Sequence, residues 1–308
     1  MPNLVIRPTM FCPCGSRWVS VSCCYDRTDN KFRKRIPSIE PPAPKTGYAH
    51  RGCYLRGTKD CSTDISGEHY MSASILRQIS FVQGGDGVGV TVRGMPWQKP
   101  EQSQTLSVKN LTANILCKRH NEALAPLDQE AGIFFSTLQK IFAAIDSKRV
   151  YRKLSLDLVS GSAIEQWMLK VACGIFFSVA TDGGVKLSNT HTIDLEKVER
   201  AFFADQWDDR AGLYFNGHHG SIMKREPDIG FAPLSDGAAR RFAGTRVNLL
   251  GFEMDLAFDT TGIDPRPLTG LTRRPTELVF VSPERRHLLL LSWPKGTPDS
   301  ALQLAVGD

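Results

Sequence analysis

The spacing of eight cysteines constrains this chain more than any other feature of its sequence. They form a tight group, a spread group and a single residue: Cys12, Cys14, Cys23 and Cys24; Cys53, Cys61 and Cys117; and Cys173. In a chain without signs of secretion, close cysteine groups indicate metal binding more often than disulfides. We therefore interpret the two groups as zinc ligands. The single cysteine falls in an apolar run and is expected to be a buried core residue.

The first group has the pattern Cys-x-Cys, eight residues, then Cys-Cys, all between residues 12 and 24. Four thiolates so close together can close a tetrahedral zinc site. A segment this short cannot bury a core of its own, so the metal would supply its folding energy. The alternative is a set of unrelated reduced cysteines. We expect residues 1–47 to comprise a zinc knuckle and a basic, proline-rich linker.

The second group ends in the sequence Cys117-Lys-Arg-His120-Asn121, in which one helical turn can present a cysteine and a histidine. Cys53 and Cys61 lie upstream and could complete a four-ligand zinc site, although their mutual spacing is wider than usual. Between the two halves stands Glu68-His69. One zinc ion would thus gather a carboxylate, an imidazole and an amide, which together suit a hydrolytic metal ion and a general base.

Both segments resemble known families. Residues 11–25 open with Cys-Pro-Cys-Gly-Ser and close with Cys-Cys, and they resemble the SEC-C motif, a small zinc module found at the ends of bacterial proteins. They differ from it at Trp18-Val19-Ser20, where that motif usually carries lysine and tyrosine. Residues 50–125 resemble the HNH endonuclease family, whose fold is the ββα-metal finger. Glu68-His69 matches the first element of the family pattern, and the sequence from Cys117 to Asn121 matches the last.

The HNH resemblance implies single-metal hydrolysis of phosphodiester bonds in nucleic acid. Glu68 and the side-chain oxygen of Asn121 would hold Mg²⁺ or a similar hard cation. His69 would take the proton from an attacking water, a task that suits its ordinary pKa. The family's middle asparagine, which would orient His69, corresponds here to either Asn110 or Asn114.

The same resemblance places two basic residues, Lys118 and Arg119, where they would meet phosphate oxygens. The chain departs from the family in using glutamate where aspartate is commoner. It also separates His69 from Asn121 by about fifty residues, so residues 84–104 would form an inserted hairpin. Two alternatives stay open. The second cysteine group could be a purely structural zinc site, and the whole module could bind nucleic acid or protein without catalysis.

The rest of the chain predicts an α+β fold, with residues 48–127 as the nuclease module and residues 128–308 as a further domain of unknown role. Apolar spacing predicts one helix from Asp128 and another from Ser162. After residue 200 the alternation has a period of two, which predicts a mostly antiparallel sheet packed on the helices. The glycine-rich residues 84–89 are expected to form a hairpin turn, and His218-His219 an exposed loop pair.

Composition adds a modest constraint on partners and location. The net charge of +6 and a pI of about 8.9 are compatible with a polyanionic partner. Among nucleic acids, the HNH resemblance favours DNA. The basic run at residues 31–35 could contact phosphate or lie in solvent. No run has the length of a membrane span or of a secretory signal, so the expected location is the cytoplasm and no membrane partner is expected. The sequence leaves the oligomeric state open.

Overall fold

The structure is a computed structural model that describes residues 9–93, 95, 98–99, 102–146, 155–178, 185–217, 221–224, 229–236, 239–261, 270–282 and 286–307. Within these residues the fold is α+β, which confirms the predicted class. The five α-helices found there are α1 (Ala73–Val82), α2 (Lys118–Asp146), α3 (Gly161–Ser178), α4 (Leu187–Thr190) and α5 (Leu195–Phe203). None of them combines the length and the hydropathy that a membrane span requires.

Helices α2 and α3 correspond to the two predicted helices, but α2 begins ten residues before the predicted start. The reason is Pro126, which lies inside α2 and normally indicates a helix boundary. Helix α3 is apolar on nearly all sides, and fifteen of its eighteen residues are buried. A helix of this kind must pack on several neighbours at once. It contacts α2 and α5 as well as strands from three different sheets.

The largest sheet has seven strands and combines both halves of the chain. Its strands are β4 (Gly89–Arg93), β5 (Ser103–Ser107), β8 (Gly212–Phe215), β10 (Ile229–Asp236), β11 (Arg241–Leu249), β12 (Phe252–Ala257) and β13 (Thr272–Arg273). Their spatial order is β13-β8-β12-β11-β10-β4-β5. Among these described strands the β4–β10 pair is parallel and the other pairs are antiparallel. The alternation of residues 252–258 predicts a half-buried strand; the strand is present as β12, but most of its residues are buried because it lies inside the sheet.

A second sheet has five strands: β7 (Ser155–Ser160), β9 (Ser221–Lys224), β14 (Glu277–Val281), β15 (Arg286–Ser292) and β16 (Ala301–Gly307). Their spatial order is β7-β15-β14-β16-β9, and three of the four pairs are parallel. Antiparallel pairing dominates the described fold as a whole, as predicted. This sheet is the exception, because parallel neighbours depend on crossover connections that hydrophobic periodicity does not show. The pair at residues 218–219 lies outside the described residues.

A β-β-α unit positions the candidate site. Strand β3 (Ile65–His69) pairs antiparallel with β6 (Thr112–Cys117), and α2 follows β6 without a break. Helix α1 and the antiparallel pair β4–β5 are inserted between the two strands, as the expected hairpin insertion requires. The glycine-rich segment joins α1 to β4, so it is a turn but not the turn of a hairpin. Helix α2 also runs through residue 127, and the division into three domains stays a prediction.

The N-terminal segment packs on the five-stranded sheet. It contains a two-stranded hairpin of β1 (Tyr25–Asp26) and β2 (Lys31–Phe32). The amide of Leu158 in β7 donates to the carbonyl of Pro13 at 3.0 Å. Its basic run is partly used within the chain, since Lys31 pairs with Asp299 and Lys34 with Glu130, both at 2.7 Å. Because Glu130 is almost fully buried, it requires such a partner.

Candidate functional site

Four residues from three parts of the chain form a buried cluster. Cys117 ends β6, His120 lies in the first turn of α2, and Cys53 and Cys61 lie in the loop before β3. Their candidate ligand atoms all lie within 4.8 Å of one another, and each residue is at most 1% exposed. The cluster could therefore hold a structural metal such as zinc, as the spacing of these residues predicts.

The distances within this cluster match a tetrahedral site. Nδ1 of His120 lies 3.5 Å from the sulfur of Cys53, 3.7 Å from that of Cys61 and 3.1 Å from that of Cys117. A zinc ion with bonds of about 2.3 Å to sulfur and about 2.0 Å to nitrogen separates neighbouring ligand atoms by roughly 3.6 Å. The side chains already have nearly this spacing, so little rearrangement is needed to bind the ion.

The other ring nitrogen of His120 indicates its tautomer. Nε2 lies 3.1 Å from the hydroxyl oxygen of Thr58, and that hydroxyl donates its hydrogen to the carbonyl of Leu55 at 2.8 Å. The hydroxyl therefore accepts a hydrogen from Nε2, which leaves the lone pair of Nδ1 for a metal. Burial also lowers the pKa of His120 to about 4. The ring is thus neutral at physiological pH, as a metal ligand must be.

The N-terminal cysteines form a second cluster of the same kind. The sulfurs of Cys12, Cys14, Cys23 and Cys24 lie within 4.8 Å of one another. Cys23 lies 3.5 Å from Cys14 and 3.6 Å from Cys24, close to the roughly 3.8 Å between sulfurs in a tetrahedral zinc site. Cys12 and Cys24 are buried against leucines of the five-stranded sheet. This cluster, too, could hold a structural metal.

A cleft of about 330 Å³ lies on the β-β-α unit, and Glu68, His69 and Asn121 all line it. The first two residues end β3, and Asn121 lies in the first turn of α2. The β3–β6 register shifts between Ser66 and Gly67, so β6 has one extra residue beside the cleft. Bulges of this kind change the direction of neighbouring side chains and are common near functional sites. The structure thus brings together the three residues that the sequence singled out.

Glu68 is held by a buried ion-pair network. Nζ of Lys170, on α3, lies 2.7 Å from Oε1 of Glu68 and also contacts a carboxylate oxygen of Asp128. The hydroxyl of Ser72 donates to Asp128 and accepts a hydrogen bond of 3.1 Å from the indole of Trp167. Burial raises the pKa of Glu68, and the ammonium of Lys170 opposes this rise. One ammonium thus fixes two carboxylates at the floor of the cleft.

His69 is half-buried and lies on the same face of β3 as Gly67. Across the pair, Thr112 stands opposite His69 and Asn114 opposite Gly67. The amide oxygen of Asn114 lies 3.9 Å from the position that a Cβ atom would take on Gly67. Asn114 is therefore a diagonal neighbour of His69 on the same face. Asn110 lies in the exposed turn before β6, so the geometry favours Asn114 as the residue near His69.

Burial lowers the pKa of His69, and the nearby positive charge of Arg77 lowers it further. The imidazole is therefore neutral at physiological pH and able to accept a proton. Asn121 donates a hydrogen bond of 2.8 Å from its amide nitrogen to the hydroxyl of Ser66. Because the nitrogen is used in this way, the amide oxygen is the atom of Asn121 available to a ligand.

The two basic residues that precede His120 take different positions. Lys118 is exposed and lies 4.0 Å from Glu122, a weak surface pair. Arg119 is turned away from solvent, with Nε 2.9 Å from a carboxylate oxygen of Asp60. It also donates to the carbonyl of Pro44 at 3.0 Å. Arg119 thus secures the N-terminal linker against the metal cluster, a position different from the expected phosphate contact.

Sequence reasoning missed two residues of the ion-pair network beneath the cleft, and each had a weak signal. Asp128 follows Asn121 by seven residues, two turns along the same face of α2. Lys170 is the one charged residue in the otherwise apolar stretch 167–176 of α3, where a lysine must find a buried partner. Neither signal identifies the partner, because the contact joins elements that are distant in sequence.

The comparisons with known proteins return no match. Neither a protein-family model, nor a curated protein, nor a solved structure is similar enough to this chain to be counted as related.

Proposed function

We propose that this protein is a metal-dependent endonuclease of the HNH type that hydrolyses phosphodiester bonds of nucleic acid, with DNA the favoured substrate. The observation that carries the proposal is the cleft in which Glu68, His69 and Asn121 meet. They meet on an antiparallel strand pair followed directly by a helix, and the Cys117–His120 cluster lies where that helix begins. This order of elements is the one that the ββα-metal resemblance implies.

The cleft residues have complementary roles in such a reaction. The carboxylate of Glu68 and the amide oxygen of Asn121 would hold a hard cation such as Mg²⁺, which would supply electrophilic stabilisation of the scissile phosphate. His69, neutral at physiological pH, would take a proton from the attacking water. Asn114, the diagonal neighbour of His69, would restrict the orientation of its ring.

The substrate phosphate also needs positive groups near the cleft. Since Arg119 is used by Asp60, we assign this role to α1, whose first residues Ala73 and Ser74 line the cleft. Its N-cap Ser72 makes no side-chain capping bond, so the first amides of α1 stay available to an anion. Arg77, one turn further on, is exposed and close enough to affect the pKa of His69.

One observation favours a second candidate, a zinc-stabilised module that binds nucleic acid without cutting it. Lys170 already neutralises Glu68, at 2.7 Å and with its side chain only 3% exposed. A carboxylate that is paired in this way binds a divalent cation less strongly than a free one, because the ammonium competes for the same charge. The two candidates differ in whether the cleft takes up a divalent cation and cuts the nucleic acid.

The test is cleavage of plasmid DNA and of RNA by the zinc-loaded protein, with Mg²⁺ present or omitted. Chelators are avoided because they would also strip the structural zinc. His69→Ala should retain zinc and nucleic-acid binding but lower the cleavage rate by roughly 10²- to 10⁴-fold, the usual size of general-base catalysis. His120→Ala should lose zinc and unfold the module. His191→Ala, at a half-buried histidine outside the cleft, is the matched control and should cleave normally.

Two results would count against the proposal. Cleavage by His69→Ala at the parent rate would mean that the activity lies elsewhere or comes from a contaminant. Tight binding without cleavage under all these conditions would favour the second candidate.

A further inference from the structure

The N-terminal knuckle has an unusual concentration of exposed apolar side chains. Ten large hydrophobic residues are exposed in the part of the chain that the structure describes, and four of them lie within residues 10–19. These are Met10 at 36%, Phe11 at 73%, Trp18 at 67% and Val19 at 38% exposure. Single exposed hydrophobic residues need no explanation, but a cluster on one small module indicates a binding surface.

The local geometry explains why these residues face outward. Residues 10–12 run antiparallel to residues 18–20, with Phe11 opposite Val19 and a bond of 2.7 Å from the amide of Cys12 to the carbonyl of Trp18. Cys12 points inward, where it packs on the five-stranded sheet together with Cys24. The sulfur side of the knuckle is therefore the docked side. Phe11 and Val19 lie on the opposite face of this strand pair, and Trp18, which stands across from Cys12 beside the turn, is 67% exposed.

Stability does not account for these two aromatic residues. The cysteine cluster can supply the folding energy of so short a segment when it holds a metal. The buried contacts of the segment come from Cys12, Cys24, Phe32 and the leucines of the sheet. Rings that are about 70% exposed add little to that core, so both ring faces are available to a partner.

The charge of the same segment indicates the kind of partner. Residues 9–35 contain six Arg or Lys and two Asp, a net charge of +4 out of +6 for the whole chain. Lys31, Arg33 and Lys34 are paired with carboxylates of the chain. Arg17 and Arg27 are exposed and have no carboxylate partner among the described residues. Arg17 stands next to Trp18 and adopts a φ of 64°, which places it at the tip of the turn.

We propose that Phe11, Arg17, Trp18 and Val19, the knuckle surface, bind unpaired bases of single-stranded nucleic acid. Aromatic faces stack on bases of any sequence, and a neighbouring guanidinium adds stacking and attraction to phosphate. Duplex DNA hides its base faces and would not use the rings. An acidic protein would be attracted by the charge but would not require two exposed aromatic planes. This inference does not depend on the cleft or on hydrolysis.

The experiment is the binding of the full-length, zinc-loaded chain to labelled oligothymidine and oligouridine, measured by fluorescence anisotropy without added Mg²⁺. The probes are about twenty nucleotides long, beyond the roughly 4–16 nucleotides that one small module covers. Phe11→Ala and Trp18→Ala should each weaken binding by roughly 5- to 100-fold, as expected for one lost base stack. Trp18→Phe should retain most of the affinity. Phe81→Ala, at another exposed phenylalanine (62%), is the matched control and should have no effect.

Elemental analysis should show that each variant keeps its zinc. A duplex of equal length should bind equally to the parent and the aromatic variants. The proposal fails if the parent does not bind the single strands, or if the aromatic variants bind them as the parent does. Cleavage assays play no part here, so failure of this inference and failure of the nuclease proposal are distinguishable.

Discussion

Replacement of Lys170 by methionine tests whether the ion pair at the floor of the cleft supports the fold. Nζ of Lys170 lies 2.7 Å from Glu68, and the two side chains are only 3% and 7% exposed. Methionine fills a similar volume but leaves Glu68 as a buried carboxylate without its partner. Breaking a buried pair from one side costs about 3–5 kcal/mol. We therefore expect Lys170→Met to lower the free energy of unfolding by that amount in urea titrations at neutral pH with zinc present.

The double variant Lys170→Met, Glu68→Gln separates electrostatics from packing. If the loss comes from the unpaired charge, removing that charge should recover part of it, with a coupling energy of about 0.5–3 kcal/mol. Lys140→Met, at an exposed lysine of α2, is the matched control and should change stability by less than about 0.5 kcal/mol. A Lys170→Met variant as stable as this control, or a double variant whose loss equals the sum of the single losses, would refute the reasoning.

Further predictions concern metal, pH and the linker. Elemental analysis of the purified chain should find about two zinc ions, and one in Cys117→Ser. Cys173→Ser should keep both ions and lower the free energy of unfolding in urea by about 1–3 kcal/mol. Burial alone would raise the pKa of Asp259, but Lys197 holds this pKa below its ordinary value of 3.8. The ionised carboxylate should therefore stabilise the fold fully well above pH 3.8, and this stabilisation should be lost as pH falls through the lowered pKa. Asp259→Asn should accordingly lose less stability than the parent in acid titrations. Arg119→Ala should lower the free energy of unfolding by about 1–3 kcal/mol. Because Arg119 contacts Asp60, the variant should leave the salt dependence of nucleic-acid binding unchanged; a flatter salt slope would contradict this.

The two candidate metal clusters could be predicted from sequence because few residue types bind zinc and their spacing is restricted. Cys117 and His120 needed only one helical turn to meet, and Cys53 and Cys61 needed only to be near in space. The helix α3 was predictable for a similar reason, since its apolar pattern is local. For α3 and for the Cys117–His120 pair, the information lies within a short window of sequence.

Other features depend on contacts between distant segments, and these could not be predicted. Arg119 precedes a candidate metal ligand, so a phosphate contact was a reasonable expectation, but the residues that its guanidinium contacts, Asp60 and Pro44, lie far away in the sequence. The parallel pairs of the five-stranded sheet join strands that are far apart in sequence, such as β7 and β15. The pairing of Lys170 with Glu68 joins α3 to β3 across about a hundred residues.

That pairing gives the later part of the chain a role at the cleft. Glu68, Asp128 and Lys170 together carry one net negative charge, which opposes a phosphate entering the cleft. A bound divalent cation would reverse the sign of that charge. In a module that only binds nucleic acid, the negative charge would still repel the phosphate, so binding would have to use other surfaces. The two candidate functions therefore differ before any bond is cut. Mg²⁺ should strengthen the binding of duplex DNA to His69→Ala if the cleft is the binding site, and should leave it unchanged or weaker if binding takes place elsewhere.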